Sequence, residues 1–478
     1  MPAAAVPLPL ARRWSPAVEP WHGAGPAAAV AALRARPGLA WLDSALPGAR
    51  LGRWSIVASD PRWTLTAYGS DVLYDGPCGP RRLRPGALRA FARAVEAEPV
   101  PQDVTLDLPF VGGAIGYLGF ELGREVERLP ATTLDDVGAP DLAVGWYDAA
   151  LAWDELEGRG WLVGRPEAVA ALRERLDAVP RGAGRAAAED LRPNMTREAY
   201  LAAVRRAQEY VRAGDIYQVN FAQRFSALLH GAGLDAYLQL RAASPAPFAA
   251  YLDTRGPSGG VEVLSSSPER FLLLDGGVLE TRPIKGTRPR GRTPEEDAAL
   301  AEELRSSTKD LAEHVMIVDL ERNDLGRVAA TGSVRVPELA QLESFRQVHH
   351  LTSTIRAERR ADASLEEVLR ATFPGGSITG APKVRALEII DELEPTVRGV
   401  YTGSIGYVSA HGRLDFNIAI RTITLADGVA HLHVGGAIVH DSDPELEYAE
   451  TMHKARGMAR ALGVTLPDEV AVDEVGRR

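Results

Sequence analysis

Two pairs of acidic residues have the spacing of one helical turn, an arrangement suited to binding a divalent cation. Asp310 and Glu313 are three residues apart, and Glu447 and Glu450 repeat the spacing, with Lys454 one turn further on. Residues three or four apart lie on one face of a helix. Mg²⁺ takes one or two carboxylates, and waters and substrate oxygens complete its shell. The pairs predict a Mg²⁺ site between two helices; the alternative is two solvent-facing acidic surfaces.

Lysine is so rare in this chain that each of its positions is informative. The 54 basic residues include only four lysines, at 285, 309, 383 and 454. A lysine amine can lose its proton and act as a nucleophile, whereas an arginine guanidinium cannot. Lys285 lies among Arg282, Arg288 and Arg290, and both burial and nearby cations lower a lysine pKa. Lys285 is therefore a candidate nucleophile facing the acid Glu269 across a predicted hairpin; a basic surface turn is the alternative.

A glycine-rich segment from Pro374 to Lys383 has the features of an anion-binding turn. It reads Pro-Gly-Gly-Ser-Ile-Thr-Gly-Ala-Pro-Lys and leads into an amphipathic helix. It is not a P-loop, because alanine and proline stand where that motif has lysine and serine or threonine. Glycines let backbone N–H groups approach a ligand, and a helix N-terminus favours negative charge. The segment predicts a carboxylate site; a plain turn is the alternative.

A second glycine pair ends a predicted strand. Gly435 and Gly436 precede Ala437, and glycines at such a place permit close approach of a ligand. Arg421 precedes these glycines in the sequence, and an arginine can bind a carboxylate through two parallel hydrogen bonds. Each of these signals is weak alone, and a structural role for Arg421 is the competing interpretation.

Hydrophobic periodicity predicts the elements that must position these residues. Strands are expected at 40–44, 54–58, 218–225, 261–265, 270–274, 278–282, 403–408, 416–423 and 430–434, and a strand or turn at 112–117. Helices are expected at 166–178, 197–213, 296–318, 365–372, 383–393 and 445–462. Residues 180–193, rich in glycine and alanine, predict a linker. Residues 113–118 faintly resemble 403–408, which is compatible with two sheets built on similar lines.

Composition narrows the class of protein. The chain has 478 residues, of which 45% are hydrophobic, so it can bury a sizeable core, and it carries a net charge of −10. Without a basic tract, nucleic acid is not expected as a partner. No run of 18 apolar residues and no secretion signal is found, so neither a membrane nor export is expected. The single cysteine, Cys78, excludes an internal disulfide and fits a reducing cytoplasm.

Six strings occur in one order along the chain. They are Ser267-Pro-Glu-Arg-Phe271, Pro283-Ile-Lys-Gly-Thr-Arg-Pro-Arg-Gly291, Ile317-Val-Asp-Leu-Glu-Arg-Asn-Asp-Leu-Gly326, Val348-His-His-Leu351, the Pro374 segment, and Asn417-Ile-Ala-Ile-Arg-Thr422. Through them the chain resembles the chorismate-utilising enzymes, a family that includes anthranilate, aminodeoxychorismate, isochorismate and salicylate synthases. The resemblance is strong over residues 195–460 and looser over 14–160.

The resemblance implies a fold and a division of the chain. The fold is α/β (α+β), like that of anthranilate synthase component I: two subdomains of packed antiparallel sheets surrounded by helices, with the active site in the cleft. Residues 1–165 would form an N-terminal region, 166–194 a helix and linker, 195–465 the catalytic domain that binds chorismate, and 466–478 a tail.

The resemblance also assigns roles to individual residues. It implies Mg²⁺ as cofactor, bound by Glu313 and Glu450 with Asp310 and Glu447 in support. It places Tyr401, Arg421, Lys454, Thr379, Gly380 and the backbone at Gly436 beside the substrate, and His350 near its ring. Gln218 stands where isochorismate-type members have a lysine that activates water, which speaks against water as the nucleophile. Ala437 replaces the usual glycine, so its methyl group is tolerated only if it points away from the substrate.

Lys285 distinguishes members of the family. Anthranilate synthases carry alanine at this place, whereas aminodeoxychorismate synthases carry lysine. The implied reaction is covalent addition of Lys285 to chorismate, with Glu269 as the acid, followed by displacement by ammonia to give 4-amino-4-deoxychorismate. Ammonia is expected from a separate glutaminase subunit, because Cys78 lies in a Gly-Pro-Cys-Gly-Pro turn without glutaminase surroundings. An anthranilate synthase and a non-catalytic chorismate-binding subunit are the alternatives.

Overall fold

The computed structural model describes residues 14–466 except 49, 85, 103–106, 178–181, 183, 258 and 346–347. The predicted tail therefore lies almost entirely outside the described residues. The helices are α1 Pro26–Leu33, α2 Ala87–Glu96, α3 Gly123–Val126, α4 Pro166–Leu176, α5 Arg197–Ala213, α6 Gly233–Ala243, α7 Pro294–Ser306, α8 Thr308–Gly326, α9 Leu365–Thr372, α10 Lys383–Leu393 and α11 Pro444–Ala461. No helix in the described part of the chain is long and apolar enough to cross a membrane.

Twelve strands lie in the first half of the described chain. They are β1 Ala17–Trp21, β2 Ala40–Asp43, β3 Trp54–Ala58, β4 Trp63–Tyr68, β5 Asp71–Asp75, β6 Arg81–Leu83, β7 Gly113–Leu118, β8 Leu142–Tyr147, β9 Ala149–Asp154, β10 Arg159–Gly164, β11 Ala187–Pro193 and β12 Gln218–His230. Those of the second half are β13 Phe248–Asp253, β14 Glu262–Ser267, β15 Arg270–Asp275, β16 Val278–Arg282, β17 Ile284–Pro289, β18 Arg335–Ser344, β19 Val348–Glu358, β20 Gly380–Ala381, β21 Ser404–Ser409, β22 Leu414–Asn417, β23 Thr422–Ala426 and β24 Val429–Ile438.

These strands form two antiparallel sheets of 12 strands each. The first sheet runs β1-β10-β9-β3-β2-β13-β14-β23-β24-β12-β11, and β20 pairs with β12. The second runs β17-β19-β16-β15-β22-β21-β7-β8-β4-β5-β6, and β18 pairs with β19. Strands from before residue 165 and from after residue 195 pair within each sheet. The division into domains at these residues stays a prediction.

The two sheets pack against each other and carry helices on their outer faces. Between them, Ala40, Ile56 and Ala250 of the first sheet pack with Ile115 and Tyr407 of the second. Helices α1, α4, α6 and α11 cover the first sheet, and α10 packs against its strands β12 and β20. Helices α2, α8 and α9 contribute to the core on the second sheet. Burial of apolar side chains in these layers is the main favourable contribution to folding. The predicted class of packed antiparallel sheets surrounded by helices is confirmed.

Local signals account for most helix ends. Thr196 caps α5 by accepting from the Ala199 N–H, and Gly214 ends it in the left-handed conformation (φ 82°). The single helix predicted over 296–318 is wrong: Ser307 is extended and divides it into α7 and α8, and its hydroxyl accepts from the Asp310 N–H. A serine that caps the backbone starts a new helix and so interrupts the apolar periodicity.

Two further segments differ from the predicted elements. The strand predicted over 416–423 is divided between β22 and β23, because Arg421 adopts a positive φ of 51° that a continuous strand cannot contain. The last part of the predicted linker is the edge strand β11, which pairs with β12. By contrast, the similar segments at 113–118 and 403–408 form neighbouring strands, β7 and β21, with Gly116 opposite Gly406.

Candidate active site

Helices α8 and α11 bring three of the four predicted metal-binding carboxylates to one place. A Cβ atom built on Gly436 would lie 3.1 Å from Glu447 Oε2 and 3.9 Å from Glu450 Oε1, so both side chains cover the end of β24. Glu313, on α8, is half-buried, and burial raises its pKa while the Lys285 ammonium opposes the rise. The Glu450 charge also acts on Glu313, which places the two carboxylates near each other.

The fourth predicted carboxylate is engaged elsewhere. Asp310 Oδ2 accepts from Arg288 Nη2 at 3.1 Å, so this residue pairs with β17. Among the described residues, no group of three or more His, Cys, Asp and Glu side chains has a geometry that would hold a metal ion. Glu313, Glu447 and Glu450 nevertheless offer the oxygen donors that Mg²⁺ prefers, since this ion keeps several waters and needs only one or two carboxylates.

Lys454 links α11 to the glycine strand. Its Nζ donates to Gly435 O at 2.8 Å and lies 2.6 Å from Glu450 Oε1. Burial would raise the pKa of Glu450, but the Lys454 ammonium outweighs it and lowers that pKa. Glu450 is thus held as a carboxylate, the form required for binding either a cation or Lys454.

Glu269 lies next to the strand that carries Lys285, on the side that the predicted hairpin implied. Lys285 lies on β17, half-buried, so that protein surrounds it while solvent still reaches it. Glu269, which precedes β15, is buried, and its Oε1 accepts from the Ile284 N–H at 3.3 Å. Burial lowers the pKa of Lys285, against the charges of Glu269 and Glu313. Burial raises the pKa of Glu269, against the nearby Ser377 hydroxyl and Lys285. Both shifts favour the neutral forms.

His350 lies on β19, next to the strand that carries Lys285. It is paired in register with Thr287, whose hydroxyl is 2.9 Å from His350 Nδ1. Burial, assisted by the cationic Arg421, lowers the pKa of His350 to about 4. His350 is therefore neutral at pH 7 and offers a ring nitrogen as a hydrogen-bonding group rather than a charge.

The segment from Pro374 to Gly380 is buried throughout and lies beside Glu269. Thr379 Oγ1 donates to Gly375 O at 3.1 Å, which tightens the turn. Gly380 has φ 149°, and a Cβ there would lie 2.2 Å from Gln218 O, so no other residue fits. The buried Ser377 hydroxyl has no hydrogen-bond partner among the described residues.

Gln218 begins β12 directly opposite Ala381. Its side chain is fully buried, and neither its amide nitrogen nor its amide oxygen has a hydrogen-bond partner in the described part of the chain. A buried polar group without a partner costs about 1–3 kcal/mol. A primary amide kept at such a cost beside the Pro374 segment is suited to hold a small molecule that both donates and accepts hydrogen bonds.

The remaining predicted substrate contacts lie just before β21, just before β23 and near the end of β24. Tyr401 stacks on His433 with ring centroids 5.1 Å apart. Arg421 is held in its left-handed conformation by the Ser266 N–H, which donates to Arg421 O at 3.0 Å. Ala437 pairs with Asn220, one residue after Gly436. Because side chains alternate along a strand, the Ala437 methyl group points away from Glu447 and Glu450.

Sequence reasoning missed Arg398, which holds three parts of this site together. This buried guanidinium pairs with Glu394 at 2.6 Å. It also donates to Asn220 O at 2.7 Å and to Ile378 O at 3.2 Å. Arg398 thus ties β12 and the Pro374 segment to α10. Its role was missed because only Glu394 is near it in sequence, whereas Asn220 and Ile378 belong to distant segments. Glu321 was also missed as a candidate, although it stands in one of the recognised strings.

Comparison with known proteins places this arrangement in a family. Residues 41–460 match the family model described as chorismate binding enzyme. Aminodeoxychorismate synthase component 1 of Escherichia coli is 45% identical over 412 residues, which cover 86% of this chain and 90% of that protein. Anthranilate synthase component 1 of Thermus thermophilus is 41% identical over 451 residues, which cover 91% and 95%.

A solved structure has a similar fold to this chain. Anthranilate synthase component I from Streptococcus pneumoniae superimposes with a TM-score of 0.76 at 31% identity, covering 85% of this chain and 92% of that one. The family match extends over most of the chain and includes every residue of the site described above, and the chain belongs to the family of chorismate binding enzymes.

Proposed function

We propose that the chain converts chorismate and ammonia to 4-amino-4-deoxychorismate; its Escherichia coli relative is named aminodeoxychorismate synthase component 1. The observation that carries the proposal is that Lys285 and Glu269 lie near enough for each charge to act on the pKa of the other. Burial lowers the pKa of the amine and raises that of the carboxyl group. An amine freed of its proton is a nucleophile, and a neutral carboxyl group is a general acid.

The residues divide the reaction into two steps. In the first, Lys285 Nζ forms a bond to C2 of chorismate while the bond from C4 to its hydroxyl breaks, and Glu269 gives that hydroxyl a proton so that water leaves. In the second, ammonia forms a bond to C4 and Lys285 is released as the neutral amine. The new amino group carries a positive charge, and Glu269 is left as a carboxylate.

Other residues bind and orient. Arg421, Tyr401 and Lys454 are assigned to the substrate carboxylates, together with Thr379, Gly380 and the backbone at Gly436 and Ala437. Neutral His350 lies where the ring would be. Gln218 is assigned to ammonia, which donates to the amide oxygen and accepts from the amide nitrogen. Glu313, Glu447 and Glu450 would hold Mg²⁺, which when bound would neutralise the ring carboxylate. Asp310, which pairs with Arg288, is assigned to the support of this site, and its charge acts on Glu313.

Ammonia is proposed to come from a separate glutaminase. Hydrolysis of glutamine in such systems uses a cysteine activated by a histidine. The single cysteine, Cys78, is exposed in a turn. The designation of the relatives as component 1 supports a second subunit. The same lone thiol supports a reducing cytoplasm as the compartment, and every residue assigned here falls in the proposed catalytic domain, 195–465.

The test is incubation of the purified chain with chorismate, Mg²⁺ and ammonium. We expect 4-amino-4-deoxychorismate without pyruvate, and mass spectrometry of the quenched enzyme should show a substrate adduct on Lys285 that Lys285→Ala lacks. Stoichiometric pyruvate would instead favour anthranilate formation, which the Thermus thermophilus relative makes a specific alternative. Chorismate binding without turnover would favour a non-catalytic subunit.

A further inference from the structure

Two groups from distant parts of the chain contact the ring of Tyr401. His433 of β24 lies against it in an offset stack, with the ring centroids 5.1 Å apart and the ring planes 10° from parallel. The guanidinium carbon of Arg398 lies 5.9 Å from the Tyr401 ring centroid. Both distances fall within the range in which an aromatic ring or a guanidinium attracts another ring. The two contacts therefore restrain how the Tyr401 ring can turn.

The backbone at Tyr401 is also held in place. Its N–H donates to Arg398 O at 3.2 Å, and its carbonyl oxygen accepts from Thr402 Oγ1 at 2.6 Å. Thr402 has a positive φ of 58°, and its N–H donates to Ala419 O at 2.8 Å. With the backbone held, rotation about the side-chain bonds is the main freedom left to Tyr401. His433 restricts that rotation, because a turned ring would lose the stacking contact.

The sheet fixes the position of His433. It pairs in register with Arg224 of β12 and points to the same side of β24 as Gly435, two residues further on. The side chain is buried. Burial lowers the pKa of His433, the charges of Arg224 and Arg398 add to this effect, and the Val397 carbonyl opposes it. The ring is therefore neutral at pH 7 and acts on Tyr401 by contact rather than by charge.

The two stacked rings have different requirements. The Nε2 atom of His433 is buried without a hydrogen-bond partner among the described residues, so the stack depends on the flat ring and not on this nitrogen. Tyr401 keeps a useful hydroxyl, because burial raises its pKa against the charge of Arg398. The phenol therefore stays protonated and is a hydrogen-bond donor suited to a carboxylate.

We propose that His433 is a positioning residue, which fixes the ring of Tyr401 so that the Tyr401 hydroxyl remains directed at a carboxylate of the substrate. His433 neither transfers a proton nor contacts the substrate. The inference rests on the proposed function, in which Tyr401 is one of the groups that bind the carboxylates of chorismate. Loss of the His433 ring should thus weaken chorismate binding and leave the chemical steps nearly unchanged.

The test compares variants by steady-state turnover of chorismate with Mg²⁺ and saturating ammonium. His433→Ala removes the ring, and we expect the KM for chorismate to rise by about three- to tenfold while kcat changes by less than about twofold. His433→Phe supplies another flat ring and should keep the KM for chorismate within about twofold of the parent value. The KM for ammonium should be the same in both variants as in the parent.

A double-mutant cycle shows whether His433 acts through Tyr401. Tyr401→Phe removes the hydroxyl and should itself raise the KM for chorismate. If His433 acts only by placing that hydroxyl, His433→Ala should cause little further loss when it is combined with Tyr401→Phe. Two independent contributions would instead multiply.

His431 provides a matched control on the same strand. It lies two residues before His433 on the same side of β24, and its Nδ1 is 2.9 Å from Ser226 Oγ. No ring contact joins it to Tyr401 in the described part of the chain. His431→Ala should therefore leave the KM for chorismate near the parent value. If His433→Ala fails to fold in urea unfolding, His433→Leu removes the flat ring at similar volume and should show the same rise in KM.

Each outcome decides the proposal. A rise in the KM for chorismate that His433→Phe reverses, and that disappears in the Tyr401→Phe background, supports it. An unchanged KM in His433→Ala would overturn it, as would losses that multiply in the double variant or a His433→Phe no better than His433→Ala. An unchanged KM in Tyr401→Phe would overturn it as well, while the parent still forms 4-amino-4-deoxychorismate. Failure of the proposed function itself would appear in the parent chain, as pyruvate release or absence of turnover.

Discussion

Replacing Gln218 with methionine should make the protein more stable and less active. The Gln218 amide is fully buried, and neither polar atom has a hydrogen-bond partner among the described residues. Methionine has nearly the same length and flexibility but no group that needs a partner. Removing unsatisfied polar atoms at about 1–3 kcal/mol each, with no bond lost, should raise the free energy of unfolding by about 2 kcal/mol.

The same change should weaken the binding of ammonia. If Gln218 supplies the donor and the acceptor that hold it, loss of about 1.4 kcal/mol of hydrogen bonding raises the KM for ammonium about tenfold. The KM for chorismate should change little, because its carboxylates are assigned to other residues. Stability is measured by urea unfolding followed by fluorescence of the eight tryptophans, and turnover by ammonium titration at saturating chorismate.

Gln239 provides a control in which the same substitution should lower, rather than raise, the free energy of unfolding. Its Oε1 accepts from the Ala186 N–H at 2.9 Å, and its Nε2 donates to Ala186 O at 3.0 Å and Ala461 O at 2.6 Å. Gln239→Met should therefore be destabilising by about 1–3 kcal/mol. The reasoning is refuted if Gln218→Met destabilises as much as Gln239→Met. The assignment of ammonia to Gln218 is refuted if the KM for ammonium does not change.

Three other perturbations follow from the geometry. Glu313→Gln and Glu450→Gln should each raise the Mg²⁺ concentration for half-maximal turnover by about tenfold, because each removes a charged ligand; an unchanged Mg²⁺ titration in both would contradict the site. Arg398→Met should lower the free energy of unfolding by about 3–5 kcal/mol, because Glu394 stays as a buried unpaired charge. The double change with Glu394→Met should restore most of that loss in urea unfolding. Because folding raises the pKa of Glu321 from 4.5 to about 8, the folded state binds this proton more tightly, so stability from this group is full below pH 4.5 and falls as pH rises towards 8. Unfolding measured across that range should show a smaller decline in Glu321→Gln.

The positions of the candidate site residues in the fold could largely be predicted from the sequence. The scarcity of lysine drew attention to Lys285. The predicted hairpin placed Glu269 opposite it. Helical spacing placed Glu447, Glu450 and Lys454 on one face of α11. Such positions can be predicted because helical and strand periodicity, caps and glycine turns each depend on a few neighbouring residues.

Other features cannot be predicted from a few neighbouring residues. The periodicity over 296–318 does not reveal that Ser307 caps a new helix, and that over 416–423 does not reveal the left-handed Arg421. Asp310 has the same spacing to Glu313 as Glu447 has to Glu450, yet only packing of β17 against α8 pairs it with Arg288. A residue's spacing shows which face it occupies, but its partner depends on what is packed against that face.

The sequence by itself thus determined the family of the chain, the candidate reacting groups and most of the elements that carry them. Only the tertiary structure decided the pKa shifts and the hydrogen-bond partners of those groups. The pKa shifts of Lys285 and Glu269, the burial of the Gln218 amide, the Arg398 links and the position of Glu321 behind Gly376 all depend on packing between distant segments. Desolvation and unmet hydrogen bonds are properties of the packed interior, and they exist only once both sheets and their helices have come together.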